Sequence, residues 1–208
     1  MTRLSSLTVL CVACVVGCSK TADKPRSDIF EKVNRAAKAI EGSADIGLGH
    51  EKFQALLQDL STEISVCQDK VKSDVEKKVL GAYSDALDRY KASDTLWKLK
   101  LAFPKLKDEA MKRGASSSLS GVGKKESEEE KTKRTEQTDR LLNYTRLSSK
   151  ALPLTDHYGS KTEAAAIADK YGLSKITVVG WECIEADSIQ VLWQMAAEKV
   201  KEANSLLN

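Results

Sequence analysis

The sequence predicts an all-α protein, an elongated bundle of about four to six helices, from three observations. Only 3 of its 208 residues are proline, and alanine, lysine, glutamate and leucine are frequent, which favours helix over sheet. Apolar residues recur at steps of three or four from Phe53 to Tyr90, which indicates one face of a long helix. A single run, 176–184, has β-like composition, and we expect it to form a short β-like or irregular connection.

The first eighteen residues have the pattern of an export signal. A short polar segment containing Arg3 precedes a largely apolar run over 7–16, which is too short to span a bilayer as a helix. The run ends at Gly17 and Cys18, and Ser19 follows. Small residues before a cysteine at this position resemble the lipobox of bacterial lipoproteins.

That resemblance covers only residues 1–18 and implies a membrane anchor. The signal peptide, 1–17, would be cleaved and Cys18 would become the lipidated first residue. A lipoprotein with two or more acyl chains stays on its membrane, since each buried CH₂ contributes about 0.8 kcal/mol. Ser19 resembles the outer-membrane sorting pattern of enteric lipoproteins, so we expect the outer membrane, facing the periplasm, if the source is Gram-negative. The polar segment 18–27 would be a tether.

The composition of the remaining chain, 28–208, indicates one soluble globular domain. The full sequence has 33 Lys and Arg against 30 Asp and Glu, 30% charged residues and 41% hydrophobic residues. This near balance offers no electrostatic footprint for nucleic acid, so we expect no nucleic-acid partner.

The cysteines divide into two groups. Cys11 and Cys14 leave with the signal, whereas Cys18 would carry lipid. Cys67 and Cys183 remain, and in an oxidising compartment they are a candidate disulfide. A bridge between them would contribute about 4 to 5 kcal/mol in the entropic account. The alternative is two buried free thiols that lie too far apart to meet.

The first half of the domain is expected to consist of helices. Ser27 or Asp28 caps a helix over 29–41, and the stripe from 53 to 90 lies on one helix or on two in succession. Ser73-x-x-Glu76 matches a capping box, but the stripe keeps its phase across it, which slightly favours one helix. Pro104 should kink or end the helix.

The second half begins with a Gly- and Ser-rich segment, 114–127, predicted to be a flexible loop. A solvated helix over 128–140 follows, with Glu136–Arg140 and similar pairs at the stabilising four-residue spacing, and it becomes amphipathic over 141–152. That helix and the last one, capped by Asp187 or Ser188, are expected to cover the long stripe. Between them lie a loop carrying His157 and a short helix closed by Gly172.

The sequence contains no constellation typical of catalysis, a metal or a cofactor. His50 and His157 are the only histidines, and neither belongs to a metal-binding motif. The segment 121–125 lacks two residues that a phosphate-binding loop requires, and the helix-turn-helix spacing over 164–178 does not suit an exported, nearly neutral protein. Trp97, Trp181 and Trp193 are interpreted as core or interface anchors.

These sequence features favour two functions. The first is a non-enzymatic, lipid-anchored envelope protein that presents a helical domain to an unidentified protein partner. The alternative is a ligand-binding or sensor module with a pocket between helices. An apolar groove along the long helix would favour the first function, whereas a pocket lined by the tryptophans would favour the second.

Overall fold

A computed structural model describes residues 25–44, 47–119 and 127–208. Cys18 and the segment 1–24 lie outside the described residues. The described chain is mostly helical, as predicted, and carries a small three-stranded sheet. A 3₁₀ turn, Ser27–Phe30, precedes the helices. Six α-helices lie within the described ranges: α1 Glu31–Ala44, α2 His50–Gln68, α3 Asp74–Leu119, α4 Glu128–Arg146, α5 Glu163–Tyr171 and α6 Ser188–Leu207.

The long apolar stripe is carried by two helices, so the preference for a continuous helix is wrong. α2 ends at Gln68 and α3 begins at Asp74. The backbone N–H of Glu76 donates to the Ser73 Oγ at 3.2 Å, and the Ser73 N–H donates to the Glu76 carboxylate at 3.1 Å. This capping box starts α3, and the stripe keeps its phase because both helices face the same core.

α3 continues past Pro104, so the helix does not end there, which was one of the two predicted outcomes. Pro104 lies on the exposed side of the helix, directly after the buried Phe103. A proline on the solvent side leaves the carbonyl four residues earlier without its helical donor, and water can satisfy that group. The helix extends to Leu119, so the first part of the predicted loop 114–127 is helical, whereas 120–126 lies outside the described residues.

α6 packs antiparallel to α3. The Tyr83 hydroxyl donates to the Asn204 Oδ1 at 3.1 Å, and the Trp193 Nε1 donates to the Ser93 Oγ at 2.7 Å. The last helix therefore covers the stripe as predicted. The helix predicted over 141–152 does not cover it, because α4 ends at Arg146 and packs on the distal part of α3.

The buried residues form three clusters along α3. The first joins α1, α2, the proximal part of α3 and the end of α6. The second joins the middle of α3 with α5 and the start of α6. The third joins distal α3 with α4 and the sheet, and contains Phe103, Tyr144 and Trp181.

The β-like run 176–184 belongs to a hairpin and not to a single connection. Strands β2, Lys175–Val178, and β3, Trp181–Glu185, pair antiparallel across Val179 and Gly180. The third strand, β1 (Ala151–Pro153), was predicted as the end of a helix, and it pairs with β3 in the order β1-β3-β2. All three β1 residues are buried, so the apolar pattern arises from strand burial.

Gly172 closes α5 in the left-handed conformation with φ 64°, as predicted. The chain then enters β2 and not a second helix, which rules out the helix-turn-helix interpretation. None of the helices in the described part of the chain combines the length and apolar character needed to cross a bilayer.

Candidate functional site

A cleft of about 770 Å³ opens between α4, the loop that follows β1 and the tip of the hairpin. This volume lies within the range of small-molecule sites. α4 contributes side chains from Arg134 to Asn143, and the loop contributes Thr155, His157 and Tyr158. The hairpin contributes residues 179–182. Three segments that are distant in sequence thus form one cleft.

Tyr144, near the end of α4, joins the walls of the cleft through aromatic contacts. Its ring is 2% exposed and packs at 5.5 Å on Phe103 of α3 and at 5.2 Å on Trp181 of β3. Burial raises the pKa of the Tyr144 phenol, and the charge of Asp156 adds to the rise. α4 starts at a capping box in which the Glu130 N–H donates to the Ser127 Oγ at 3.2 Å. The capping box therefore fixes the start of α4, and the aromatic contacts of Tyr144 fix its end.

The loop carrying His157 is ordered by Asp156. The Asp156 carboxylate accepts the backbone N–H of Tyr158 at 2.9 Å and that of Ser160 at 2.8 Å. An aspartate that binds backbone two residues ahead forms a tight local turn. His157 lies in a loop, as the sequence predicts.

The ring of His157 is half-buried between Tyr144 at 5.5 Å and Tyr158 at 4.1 Å. Its Nε2 is buried, and no hydrogen-bond partner for it lies within the described chain. A buried polar atom without a partner costs free energy. A bound ligand, or a shift of the exposed Tyr158, would therefore change the hydrogen bonding of the His157 Nε2.

Arg140 is the central cation of the cleft. Its guanidinium lies over the Trp181 ring at 4.7 Å from the ring centroid. The loop makes room for it at Gly159, which has φ 94°, because a Cβ there would lie 3.2 Å from the Arg140 Nη2. The predicted helical pair with Glu136 does not form, since Arg140 turns to the tryptophan. Arg134, Glu136 and Glu182 complete the charged lining.

The hairpin tip holds a strained apolar residue at the rim of the cleft. Val179 has φ 50° and Gly180 has φ 78°, and Val179 is 40% exposed. A two-residue hairpin turn with positive φ at both positions normally carries asparagine or aspartate followed by glycine. A β-branched residue is disfavoured in that conformation and marks stored strain.

We therefore expect Val179→Asn to raise the free energy of unfolding by about 1 kcal/mol, because asparagine tolerates positive φ. Urea denaturation measures the change. Val191→Asn is the matched control, since Val191 is similarly exposed but lies within α6, where valine and asparagine have similar helix propensities and the change should have little effect. A loss of stability in Val179→Asn would mean that the valine side chain makes favourable contacts that outweigh the backbone strain.

A second polar group lies at the start of α2. The His50 Nε2 is 2.8 Å from one oxygen of Asp94, and the Lys98 Nζ is 2.6 Å from the other. The neighbouring Ser93 hydroxyl donates to the Tyr90 carbonyl and accepts from Trp193. This hydroxyl does not contact His50, so the group does not form a nucleophile–base pair.

Two of the three tryptophans converge, away from the cleft. Trp97 and Trp193 lie 5.7 Å apart and both pack on Phe53, whereas Trp181 lines the cleft. Cys67 and Cys183 are buried free thiols in different core clusters. Burial raises the pKa of the Cys183 thiol to about 11 and that of Cys67 in the same direction. Such thiols are poor nucleophiles.

Across residues 25–44, 47–119 and 127–208, no three His, Cys, Asp or Glu side chains are grouped so that they could hold a metal ion. The segment 121–125 lies outside the described residues. Comparison with protein-family models, with curated proteins and with solved structures gives no match to the chain.

Proposed function

We propose that this chain is an exported, lipid-anchored envelope protein whose helical domain binds a ligand without catalysing a reaction. The lipobox-like segment ending at Cys18 supports the anchor, and residues 18–27 would form the tether. The outer membrane, facing the periplasm, is the proposed site if the source is Gram-negative. The observation that carries the binding role is the cleft between α4 and the hairpin.

The arrangement of α3 supports an elongated bundle that separates this cleft from the anchor. At 1.5 Å per residue, the 46-residue helix is roughly 70 Å long. Arg26, in the last part of the proposed tether segment, binds Glu76 at the start of α3 with an Nε–Oε1 distance of 2.7 Å. Phe103, beneath the cleft, lies roughly 40 Å further along the same helix. The tether would leave the domain at one end, and the cleft would face away from the membrane.

The exposed apolar residues of α3 do not favour the other function, a helical scaffold that presents its domain to a protein partner. Leu101, Leu106 and Met111 are exposed, but at 100° per residue they point in three different directions. Such scattered residues do not form the stripe that a partner helix needs. A protein partner would therefore bind at the cleft and not along α3.

The anchor is tested by metabolic labelling with palmitate and by membrane fractionation. Wild-type protein should carry label and sediment with membranes, whereas Cys18→Ala should do neither, because it lacks the acylated thiol. Cys14→Ala, also within the signal segment, is the matched control and should behave as wild type. A Cys18→Ala protein that is still labelled and membrane-bound would overturn the anchor.

The binding role is tested by ligand-observed NMR with a chemically diverse fragment set and the acylated protein in detergent micelles. Some fragments should bind wild type and lose binding in Tyr158→Ala, since Tyr158 is 65% exposed and lines the cleft. Val191→Ala is the control on the surface of α6. If no fragment binding depends on Tyr158, the cleft is not a binding site.

A further inference from the structure

The charges of the cleft point to a particular class of ligand. Glu136 and Arg140 lie four residues apart on α4 and form no ion pair with each other, although this spacing normally favours one. Two turns earlier on the same helix, Glu129 and Lys133 have the same spacing and pair at 2.7 Å. The two cleft residues thus present opposite charges side by side without neutralising one another.

The lining as a whole is balanced. Arg134 and Arg140 supply two positive charges, and Glu136 and Glu182 supply two negative charges. Lys175 approaches Glu182 at 4.0 Å, which leaves Glu136 as the carboxylate of the lining with no ion pair in the described chain. A balanced cleft does not concentrate a polyanion or a polycation. It suits a ligand that carries both signs of charge.

Arg140 is placed to receive a carboxylate. One face of its guanidinium is covered by Trp181, which leaves the N–H groups along its edge for a ligand. These edge donors match the two oxygens of a carboxylate in a bidentate pair. The stacking also fixes the plane of the guanidinium, so less side-chain freedom is lost on binding.

The apolar rim of the cleft and its volume indicate the side chain and the length of the ligand. Tyr158 and Val179 are large, exposed and adjacent to the charged residues, and they offer apolar surface to a side chain. A volume of about 770 Å³ exceeds what a single amino acid fills and is suited to a peptide of roughly two to four residues.

We propose that the cleft binds a short zwitterionic peptide, with its terminal carboxylate on Arg140, its terminal ammonium at Glu136 and an apolar side chain on Tyr158 and Val179. This inference rests on the proposed binding role and adds the ligand class. Both free termini of the peptide contribute to recognition.

Calorimetric titration with three probes tests the two termini separately. The probes are the tripeptide Ala-Phe-Ala with free termini, its C-terminal amide and its N-acetyl form, titrated into the acylated protein in micelles. The free peptide should bind at least tenfold more tightly than either blocked form. Equal affinities for the free peptide and the amide would overturn the role of the carboxylate, and no binding of the free peptide would overturn the proposal.

Two variants assign the termini to side chains. In Arg140→Gln the advantage of the free peptide over the amide should disappear, and in Glu136→Gln its advantage over the N-acetyl form should disappear. Arg146→Gln, an exposed residue at the end of α4 outside the cleft, is the charge-matched control. Arg140→Lys keeps the positive charge but cannot form a bidentate pair with a carboxylate. Its preference for the free peptide over the amide should therefore fall between those of wild type and Arg140→Gln. Circular dichroism checks that each variant is folded.

The outcomes separate this inference from the proposed binding role. Fragments that depend on Tyr158, combined with no binding of the free tripeptide, would leave the cleft a binding site and refute the peptide ligand. Tripeptide affinity that is unchanged in Arg140→Gln and Glu136→Gln would place the peptide elsewhere and also refute the inference. Loss of both terminal preferences in the matching variants supports it.

Discussion

Replacing Phe53 by alanine is expected to lower the free energy of unfolding by about 3 to 5 kcal/mol. Phe53 on α2 is fully buried, and its ring packs on Tyr90 at 6.3 Å, Trp97 at 5.7 Å and Trp193 at 5.2 Å. These neighbours lie on α3 and α6, so the removed ring would leave a cavity bounded by three helices. The surrounding rings cannot close it without moving a helix.

Guanidinium unfolding followed by tryptophan fluorescence measures this effect, because Trp97 and Trp193 border the cavity. Phe53→Leu should cost about 1 to 2 kcal/mol, since leucine refills part of the space. Val66→Ala is the matched control on α2, where the side chain is 45% exposed and the change should stay within about 0.5 kcal/mol. If Phe53→Ala were no more destabilising than Val66→Ala, Phe53 would not be at the centre of the core.

The helical core was predictable because periodicity reports directly on burial. Phe53, Leu60 and Tyr83 belong to the stripe read from the sequence, and all three are fully buried. The break between α2 and α3 was harder to predict. Ser73 and Glu76 gave the local signal for it, but two helices that face one core keep the same phase as one helix.

The sheet was only partly predictable because its pairing is not local. The turn Val179-Gly180 lacks the asparagine that marks such hairpins, so two short strands had the appearance of one run. Strand β1 has three residues, and its apolar pattern also fits the end of a helix. Nothing in the local sequence indicates that residues 151–153 pair with 183–185.

The cleft could not be derived from the sequence for a related reason. Its walls come from three separated segments, and Arg140 had a plausible partner on its own helix in Glu136. The decisive fact is that Arg140 instead stacks on Trp181, a contact between residues that no periodic pattern relates. The sequence did identify Trp181 as an anchor, but it could not show which of the three tryptophans lines a cleft.

Glu76→Gln is expected to lower the free energy of unfolding by about 2 kcal/mol near neutral pH. The Glu76 side chain is 3% exposed and accepts hydrogen bonds from the Arg26 guanidinium at 2.7 and 3.1 Å and from the N–H groups of Lys72 at 2.8 Å and Ser73 at 3.1 Å. A glutamine offers one acceptor oxygen and turns its amide N–H groups toward donors.

This loss should depend on pH in a defined direction. The Arg26 hydrogen bonds hold the pKa of the Glu76 carboxyl well below its usual range against the effect of burial, and the Lys72 and Ser73 N–H groups lower it further. The unfolded chain has a pKa of about 4.3 at this position. A group whose pKa is depressed on folding stabilises the protein above the unfolded pKa, and this stabilisation declines as the pH falls below it. The gap between wild type and Glu76→Gln should therefore be constant above about pH 5 and shrink below about pH 4.

Urea unfolding at a series of pH values measures the gap. Glu31→Gln is the matched control, because the Glu31–Arg35 pair has the same 2.7 Å distance but is exposed on both sides and should contribute almost nothing at any pH. A pH-independent gap would mean that Glu76 acts through packing and not through its charge. A charge-dependent gap would show that the Arg26–Glu76 ion pair stabilises the start of α3 in the folded protein.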